Sequence, residues 1–193
     1  MMKRLGFSKR LTTTIIVVLL ALLGGMAIVL SANTAADEKS ESTITGIHHT
    51  AISTGDIERL LTFYRDLLGF EVVSDSRWPA GIRVADEITG LKGSAARMIM
   101  LRIGEGNLQD HIELFQFSSP KPKPSDPNRP VCDHGYTHIC LAVTNVDAEY
   151  ERLKAGGMKF HCPPKSMGGN SKVTYGRDPD GNVIELLGPG NPE

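Results

Sequence analysis

The chain has 193 residues, of which 40% are hydrophobic and 22% charged, with a formal net charge of −1; at about 150 residues per domain this leaves room for one domain with an appendage, or two very small ones, and excludes a large multidomain assembly. The composition is that of a globular chain, not of a disordered or collagen-like one, and there is no basic surplus to draw nucleic acid. Three cysteines, Cys132, Cys140 and Cys162, are too few and too irregularly spaced for a cysteine-based zinc site or a disulfide framework, so any metal must be held by histidines and carboxylates.

At the N-terminus, Lys3, Arg4, Lys9 and Arg10 precede an apolar run from Ile15 to Leu30, and small residues from Ser31 to Ala36 follow before the acidic Asp37-Glu38. This is the order of a secretory signal. The run of 16 residues falls between a signal core and the roughly 18 or more of a membrane span. Residues 1–36 therefore read as either a cleaved signal peptide or a retained N-terminal membrane anchor. With the positive charges ahead of the span, everything after Ala36 is expected on the far side of the membrane, periplasmic or extracellular, soluble or N-terminally anchored. Residues 37–43 read as a linker.

The remainder is one unit written twice. Gly46-Ile-His-His-Thr-Ala-Ile-Ser-Thr-Gly-Asp-Ile aligns with Gly135-Tyr-Thr-His-Ile-Cys-Leu-Ala-Val-Thr-Asn-Val at a constant offset of 89, placing His49 on His138 and Asp56 on Asn145. Each opening runs into a helical pattern: Ile57, Leu60, Leu61, Tyr64 and Leu68 in the first copy, Val146, Tyr150 and Leu153 in the second. Asp56 and Asn145 are expected N-caps, with Gly69 and Gly156 as stops. The halves close alike on Ile112-Glu113-Leu114 and Ile184-Glu185-Leu186, at an offset of 72. Between these marks, the segments around Phe70–Ser74, Met98–Ile103, Phe160, Lys172–Gly176 and Asn182–Leu187 read as short strands. Asp178-Pro179-Asp180-Gly181 is a tight turn into the last of them. Each half is thus a strand, a helix and about three strands. Module one covers about 44–118, module two about 134–188, and the proline-crowded stretch 119–133 links them, since it suits neither helix nor central strand.

Strand alternation places His49 on a face with Ile47, Ala51 and Ser53, and His138 with Tyr136, Cys140 and Ala142. The same count puts Glu113 with His111, Phe115 and Phe117, and Glu185 with Val183 and Leu187. A carboxylate on an apolar strand face needs compensation, because burying an unpaired charge costs several kcal/mol. If the halves pack so that corresponding strands converge, two neutral imidazoles and two carboxylates balance one divalent cation with no residual charge.

The set His49-Thr-Ala-Ile, Phe63-Tyr64-Arg65-Asp66-Leu67-Leu68-Gly69-Phe70, His111-Ile-Glu-Leu-Phe, Thr137-His138-Ile and Asp178-Pro179-Asp180-Gly181-Asn182-Val183-Ile184-Glu185-Leu186 resembles the vicinal oxygen chelate superfamily, which includes glyoxalase I, methylmalonyl-CoA epimerase and extradiol ring-cleaving dioxygenases. The resemblance spans about residues 44–188. It implies an α+β fold of paired βαβββ modules curled into a cup-shaped mixed sheet, and it places the metal ligands on His49, Glu113, His138 and Glu185. Relatives build such cups within one chain or by swapping modules between two, so a homodimer stays open.

Two imidazoles and two carboxylates leave two adjacent positions of an octahedral shell free, suited to Zn²⁺, Ni²⁺, Fe²⁺, Mn²⁺ or Co²⁺. Those positions can take vicinal oxygens of a small-molecule substrate, the cation stabilising an enediolate as a proton leaves the carbon beside a carbonyl. As in glyoxalase-like relatives, Glu185 or Glu113 serves as base, with Glu185 favoured. The expected enzyme is a metal-dependent lyase or isomerase of the glyoxalase I type. The rival is an Fe(II) ring-opening dioxygenase, which needs a third free position that Glu113 would occupy; Tyr175, ten residues before Glu185, speaks for it. A metal-free small-molecule binding protein is the third class.

Other residues carry open readings. His48 is expected to point away from His49's face, and His111 is a neighbour of Glu113 or a general acid. Cys140 lines the cup or fills space as a small hydrophobe, and Cys132 and Cys162 could bridge outside the cytoplasm. Trp78, Arg83 and Arg97 are candidate substrate contacts, and Gly168-Gly169 is a lid hinge or an ordinary turn.

Overall fold

Each copy of the repeat builds its own sheet. In the computed structural model, which describes residues 42–104 and 111–191, module one runs β1 (His49–Ser53), α1 (Ile57–Leu61) continued by a π-helical segment (Thr62–Leu67), β2 (Glu71–Trp78), α2 (Arg83–Thr89), β3 (Ala95–Arg102) and β4 (His111–Ser119). Module two runs β5 (Ile139–Ala142), α3 (Val146–Ala155), β6 (Lys159–Phe160), β7 (Lys165–Gly168), β8 (Ser171–Arg177) and β9 (Val183–Pro189). The sheet orders are β1-β4-β3-β2 and β5-β9-β8-β6, with β7 also paired to β8. β1 lies parallel to β4 and β5 parallel to β9, while the other pairings are antiparallel. The α+β class with paired βαβββ modules is therefore observed. The expected signal or anchor at residues 1–36 lies outside the described residues, among which no helix is long and apolar enough to cross a membrane.

Two elements exceed the expectation. Helix α2 buries none of its residues, and Ile82, Val84 and Ile88 around it are exposed, so no core-facing period marks it in the sequence. Its anchor is polar: the Asp86 carboxylate accepts the N–H groups of Gly93 and Ser94 at 2.7 and 2.6 Å. Strand β7 forms a hairpin with β8 in which Gly168 pairs with Ser171, so Gly168-Gly169 is an ordinary turn.

Local chemistry sets the helix ends. The carboxylate of Asp56 accepts the Arg59 N–H at 3.1 Å and the Asn145 side chain accepts the Ala148 N–H at 3.0 Å, as N-caps do. The first helix then loosens, with the Leu68 N–H reaching the Phe63 carbonyl at 3.0 Å, five residues back. This wider turn brings Phe63 and Tyr64, adjacent in sequence, into the core together. Gly69 stops it with φ +85°. The second helix departs from expectation: Gly156 keeps an ordinary φ of −77° and Gly157, at φ +95°, turns the chain. Gly156 is small for another reason, since a Cβ there would lie 2.3 Å from a methyl of Leu67 in module one.

The core is continuous across both modules, with Ile52, Ile57, Leu60, Ile99, Leu101 and Leu114 from the first and Val146, Leu153, Ile184 and Leu186 from the second. A buried polar contact pins the two together. The hydroxyl of Tyr64, fully buried, donates to Oδ2 of Asp178 at 3.2 Å. Asp178, only 4% exposed, also accepts the N–H of Asp180 at 2.9 Å, the N–H of Asn182 at 2.8 Å and the side-chain amide of Asn182 at 2.8 Å. The Asp-Pro-Asp-Gly turn thus delivers the chain into β9, as expected, and also holds the helix of module one. Around it, Arg59 pairs with Asp180 and Arg152 donates to the Leu67 carbonyl at 2.8 Å. The linker is drawn in by Arg177, which donates to the carbonyls of Arg129 and Gly181 at 3.0 and 2.6 Å. Gly181, at φ +88°, packs so closely on the linker that a Cβ would come within 2.1 Å of the Pro127 carbonyl oxygen.

Burial pushes the Asp178 carboxyl above its ordinary value, and the four donors around it pull the other way without cancelling the shift. A carboxyl that holds its proton more tightly folded than unfolded contributes stability at low pH and loses it as pH rises from about 3.8 through the raised folded value. Chemical denaturation across pH 4 to 7 is therefore expected to show this slope in the wild type and to lose it in Asp178→Asn, which cannot titrate. Tyr64→Phe removes a buried donor from a charged acceptor and is expected to cost about 1–3 kcal/mol in the same measurement at pH 7.

Candidate metal centre

Parallel pairing of the first and last strand of each module brings together residues far apart in sequence. Ala51 of β1 lies opposite Glu113 of β4, so His49, two residues earlier, shares Glu113's face. His49 Nε2 stands 3.1 Å from Glu113 Oε2. Module two repeats this: Cys140 of β5 lies opposite Glu185 of β9, and His138 Nε2 stands 2.7 Å from Glu185 Oε2. The carboxylates are largely shielded, at 12% and 14% exposure, and the imidazoles stay accessible at 37% and 26%.

The second nitrogen of each imidazole is also engaged, by the residue just before it. His49 Nδ1 lies 2.8 Å from Nδ1 of His48 and His138 Nδ1 lies 2.9 Å from the hydroxyl of Thr137. A partner on Nδ1 orients each ring so that Nε2 is directed at the carboxylate. The sequence reading passed over both partners. The signal was there in the offset of 89, which aligns His48 with Thr137. His48 was expected on the opposite face; because β1 begins only at His49, the rule of alternation does not reach it, and its ring stacks on His111 at 5.8 Å.

The donor chemistry of each pair suits a divalent cation. At metal–ligand bonds of about 2.1 Å, two adjacent positions of an octahedral shell are about 3 Å apart, which the N···O separations of 3.1 and 2.7 Å match. The pairs do not meet within the chain: among the described residues, no three His, Cys, Asp or Glu side chains group closely enough to hold one ion. The modules are joined through the helix of module one, α3 and the Asp178 turn. The described residues thus show two separate His–Glu pairs and not a single four-ligand group.

The other candidates separate cleanly. The ring of Tyr175, whose Cα lies opposite Glu185, packs on His138 at 4.9 Å. Burial pushes the Cys140 thiol up to about 11, with Glu185 adding to the shift, so it is protonated near neutral pH; the residue is exposed and does not fill space in the core. All three cysteines are free. Arg97 is bound to Asp75 and Glu58, and Arg83 pairs with Glu87 at 3.2 Å on the surface; neither reaches the pairs. Trp78 packs against Phe115 and Phe117 on the face of Glu113. His111 is buried beside this group.

Residues 46–186 match the Glyoxalase/Bleomycin resistance protein/Dioxygenase superfamily. The chain belongs to this superfamily. Similar proteins include the uncharacterized protein YaeR of Escherichia coli, 31% identical over 72% of this chain and 93% of its own length. A lactoylglutathione lyase of Haemophilus influenzae is 26% identical over 73% of this chain and 90% of that protein. A glyoxalase family protein from Bacillus cereus shares the fold, with a TM-score of 0.70, 18% identity and coverage of 79% of this chain and 99% of that one. Within the superfamily fold, both His–Glu pairs sit on the outermost parallel strand pair of their sheets.

Pairs that keep one partner open to solvent contribute little to stability. Glu113→Gln and Glu185→Gln are therefore each expected to change the unfolding free energy of the metal-free protein by less than about 1 kcal/mol, checked by urea denaturation. A much larger loss would mark the pairs as structural.

Proposed function

We propose that the protein is a divalent-metal-dependent lyase or isomerase of the glyoxalase I type, moving a proton on and off the carbon beside a carbonyl of a small substrate with vicinal oxygens. The observation that carries this is the duplicated pair: at equivalent positions of both modules, an imidazole with its Nδ1 occupied directs Nε2 at a carboxylate. The similarity to lactoylglutathione lyases at 26% identity points the same way. His49, Glu113, His138 and Glu185 would hold the cation, Zn²⁺, Ni²⁺, Fe²⁺, Mn²⁺ or Co²⁺. When bound it neutralises the carboxylates and supplies Lewis-acid polarisation of the carbonyl.

The chain's own residues do the rest. Glu185 takes the proton from carbon and returns it, flanked by the Cys140 thiol, which keeps its own proton, and by Tyr175. Glu113 is the alternative base. Thr137 and His48 hold the imidazoles in orientation. Because the two pairs are separate in one chain, we place the complete set between two copies, His49 and Glu113 of one with His138 and Glu185 of the other. The reading of residues 1–36 as an export segment puts this chemistry outside the cytoplasm.

A second reading, Fe(II)-dependent ring opening, is favoured by the ring of Tyr175 against His138. Elemental analysis of the purified protein, with assays of glutathione hemithioacetal isomerisation and aerobic catechol cleavage, separates the two. Isomerisation without O₂ uptake is expected; bound iron with O₂ consumption overturns it. His49→Ala and His138→Ala are each expected to lower metal content below about a tenth of wild type, because each removes one of the few ligands that fix the ion. When the two variants are mixed and allowed to exchange subunits, one intact site per mixed dimer is expected to return. Failure of the mixture to regain metal would place both pairs of a site in the same chain.

A further inference from the structure

Next to the His49–Glu113 pair, the same face of the first sheet carries a wall of aromatic and sulfur side chains, where the last strand of the second sheet has Leu187 and Pro189 at the equivalent positions. Along β4, Phe115 and Phe117 follow Glu113 at alternate positions, and their rings lie nearly parallel, 12° apart with centroids at 5.7 Å. Trp78 of β2 crosses to both, edge to face, at 6.2 and 6.0 Å. The crossing is made by a small residue: Ala96 of β3 stands between Trp78 and Phe117 in the register and is buried beneath the indole. The indole N–H is satisfied by the Ser94 hydroxyl at 3.2 Å, which fixes the ring. Met98 and Met100, opposite Phe115 and Glu113 on β3, complete the surface between the wall and the carboxylate.

These rings are half-buried, whereas the core face of the same strands is sealed by Ile99, Leu101, Ile112 and Leu114. Packing within the chain therefore does not account for three aromatics gathered on the open face. At a strand rise of roughly 3.4 Å per residue, Phe115 sits about 7 Å from Glu113 and Phe117 about 14 Å. A single ring conjugated to oxygens held at the His49–Glu113 pair reaches the first, and a fused bicyclic system reaches on toward Phe117 and Trp78.

We infer that Trp78, Phe115 and Phe117 form a stacking subsite for a planar aryl group attached to the vicinal-oxygen unit of the substrate. The inference rests on the proposed function for the position of those oxygens. It assigns the substrate class as aryl ketols and related aryl compounds, in contrast to small aliphatic ones. Ring stacking on preorganised aromatic faces provides the selectivity.

The test measures dissociation constants of hydroxyacetone, α-hydroxyacetophenone and α-hydroxyacetonaphthone by calorimetry on the full chain, loaded with Zn²⁺ and stripped of metal. Emission from Trp78, the single tryptophan, serves as the local reporter. About tenfold tighter binding is expected for the phenyl over the methyl compound, with a further gain for the naphthyl compound and a change in Trp78 emission with both aryl probes. Phe117→Ala is expected to remove the naphthyl gain to within about twofold while leaving hydroxyacetone binding and zinc content unchanged. Equal affinities for the three probes, or a Phe117→Ala loss shared by hydroxyacetone, overturns the subsite even when zinc is retained. Trp78 emission that responds to no probe and varies with protein concentration also overturns it, since a second copy then covers the wall. Aryl preference persisting in protein that takes up no metal leaves the subsite standing and overturns the metal reading alone.

Discussion

A carboxylate sealed in a protein interior is tolerable only when enough donors surround it. Asp178 meets four, and one of them, the hydroxyl of Tyr64, comes from the other module. That bond locates the start of β9 against the helix that follows β1. Glu185 lies seven residues beyond Asp178, and the helix bearing Tyr64 begins a few residues after His49. The segments leading to one His–Glu pair and away from the other are therefore anchored to the same buried group. The close approach of Gly181 to Pro127 and of Gly156 to Leu67 leaves little slack around it.

Much of this architecture is written in spacing that one-dimensional rules can reach. The offset of 89 exposes the duplication, Asp56 and Asn145 announce the helix starts, and the glutamates declare themselves as charges on otherwise apolar strand faces. Those rules are local, and they fail where the determining contact is not. Helix α2 has no buried face and is held by one carboxylate, so nothing periodic marks it. Gly156 is kept small by a leucine methyl in the other module, while the left-handed turn falls on Gly157. The wall of aromatics was invisible because Trp78 and Phe117 belong to strands that are not neighbours, with Ala96 between them.

The largest difference concerns how the halves meet. Symmetry of the sequence implies that equivalent residues are related to one another, and both His–Glu pairs obey this within their own modules. It does not say which surfaces touch. The helical and turn surfaces make the joint inside the chain, while the imidazoles of both pairs stay accessible. Membership of the superfamily rests on residues 46–186 and does not depend on what covers the faces bearing the pairs.

The two sheets carry the repeat unevenly. What depends on strand register, an imidazole beside a carboxylate, is the same in both; what surrounds it has diverged, with Phe, Trp and Met on one side and Tyr175 and Cys140 on the other. The His–Glu pairs and the side chains that surround them are thus separable parts of a common scaffold. The surroundings of each pair can therefore change while the strand register that sets an imidazole beside a carboxylate stands still.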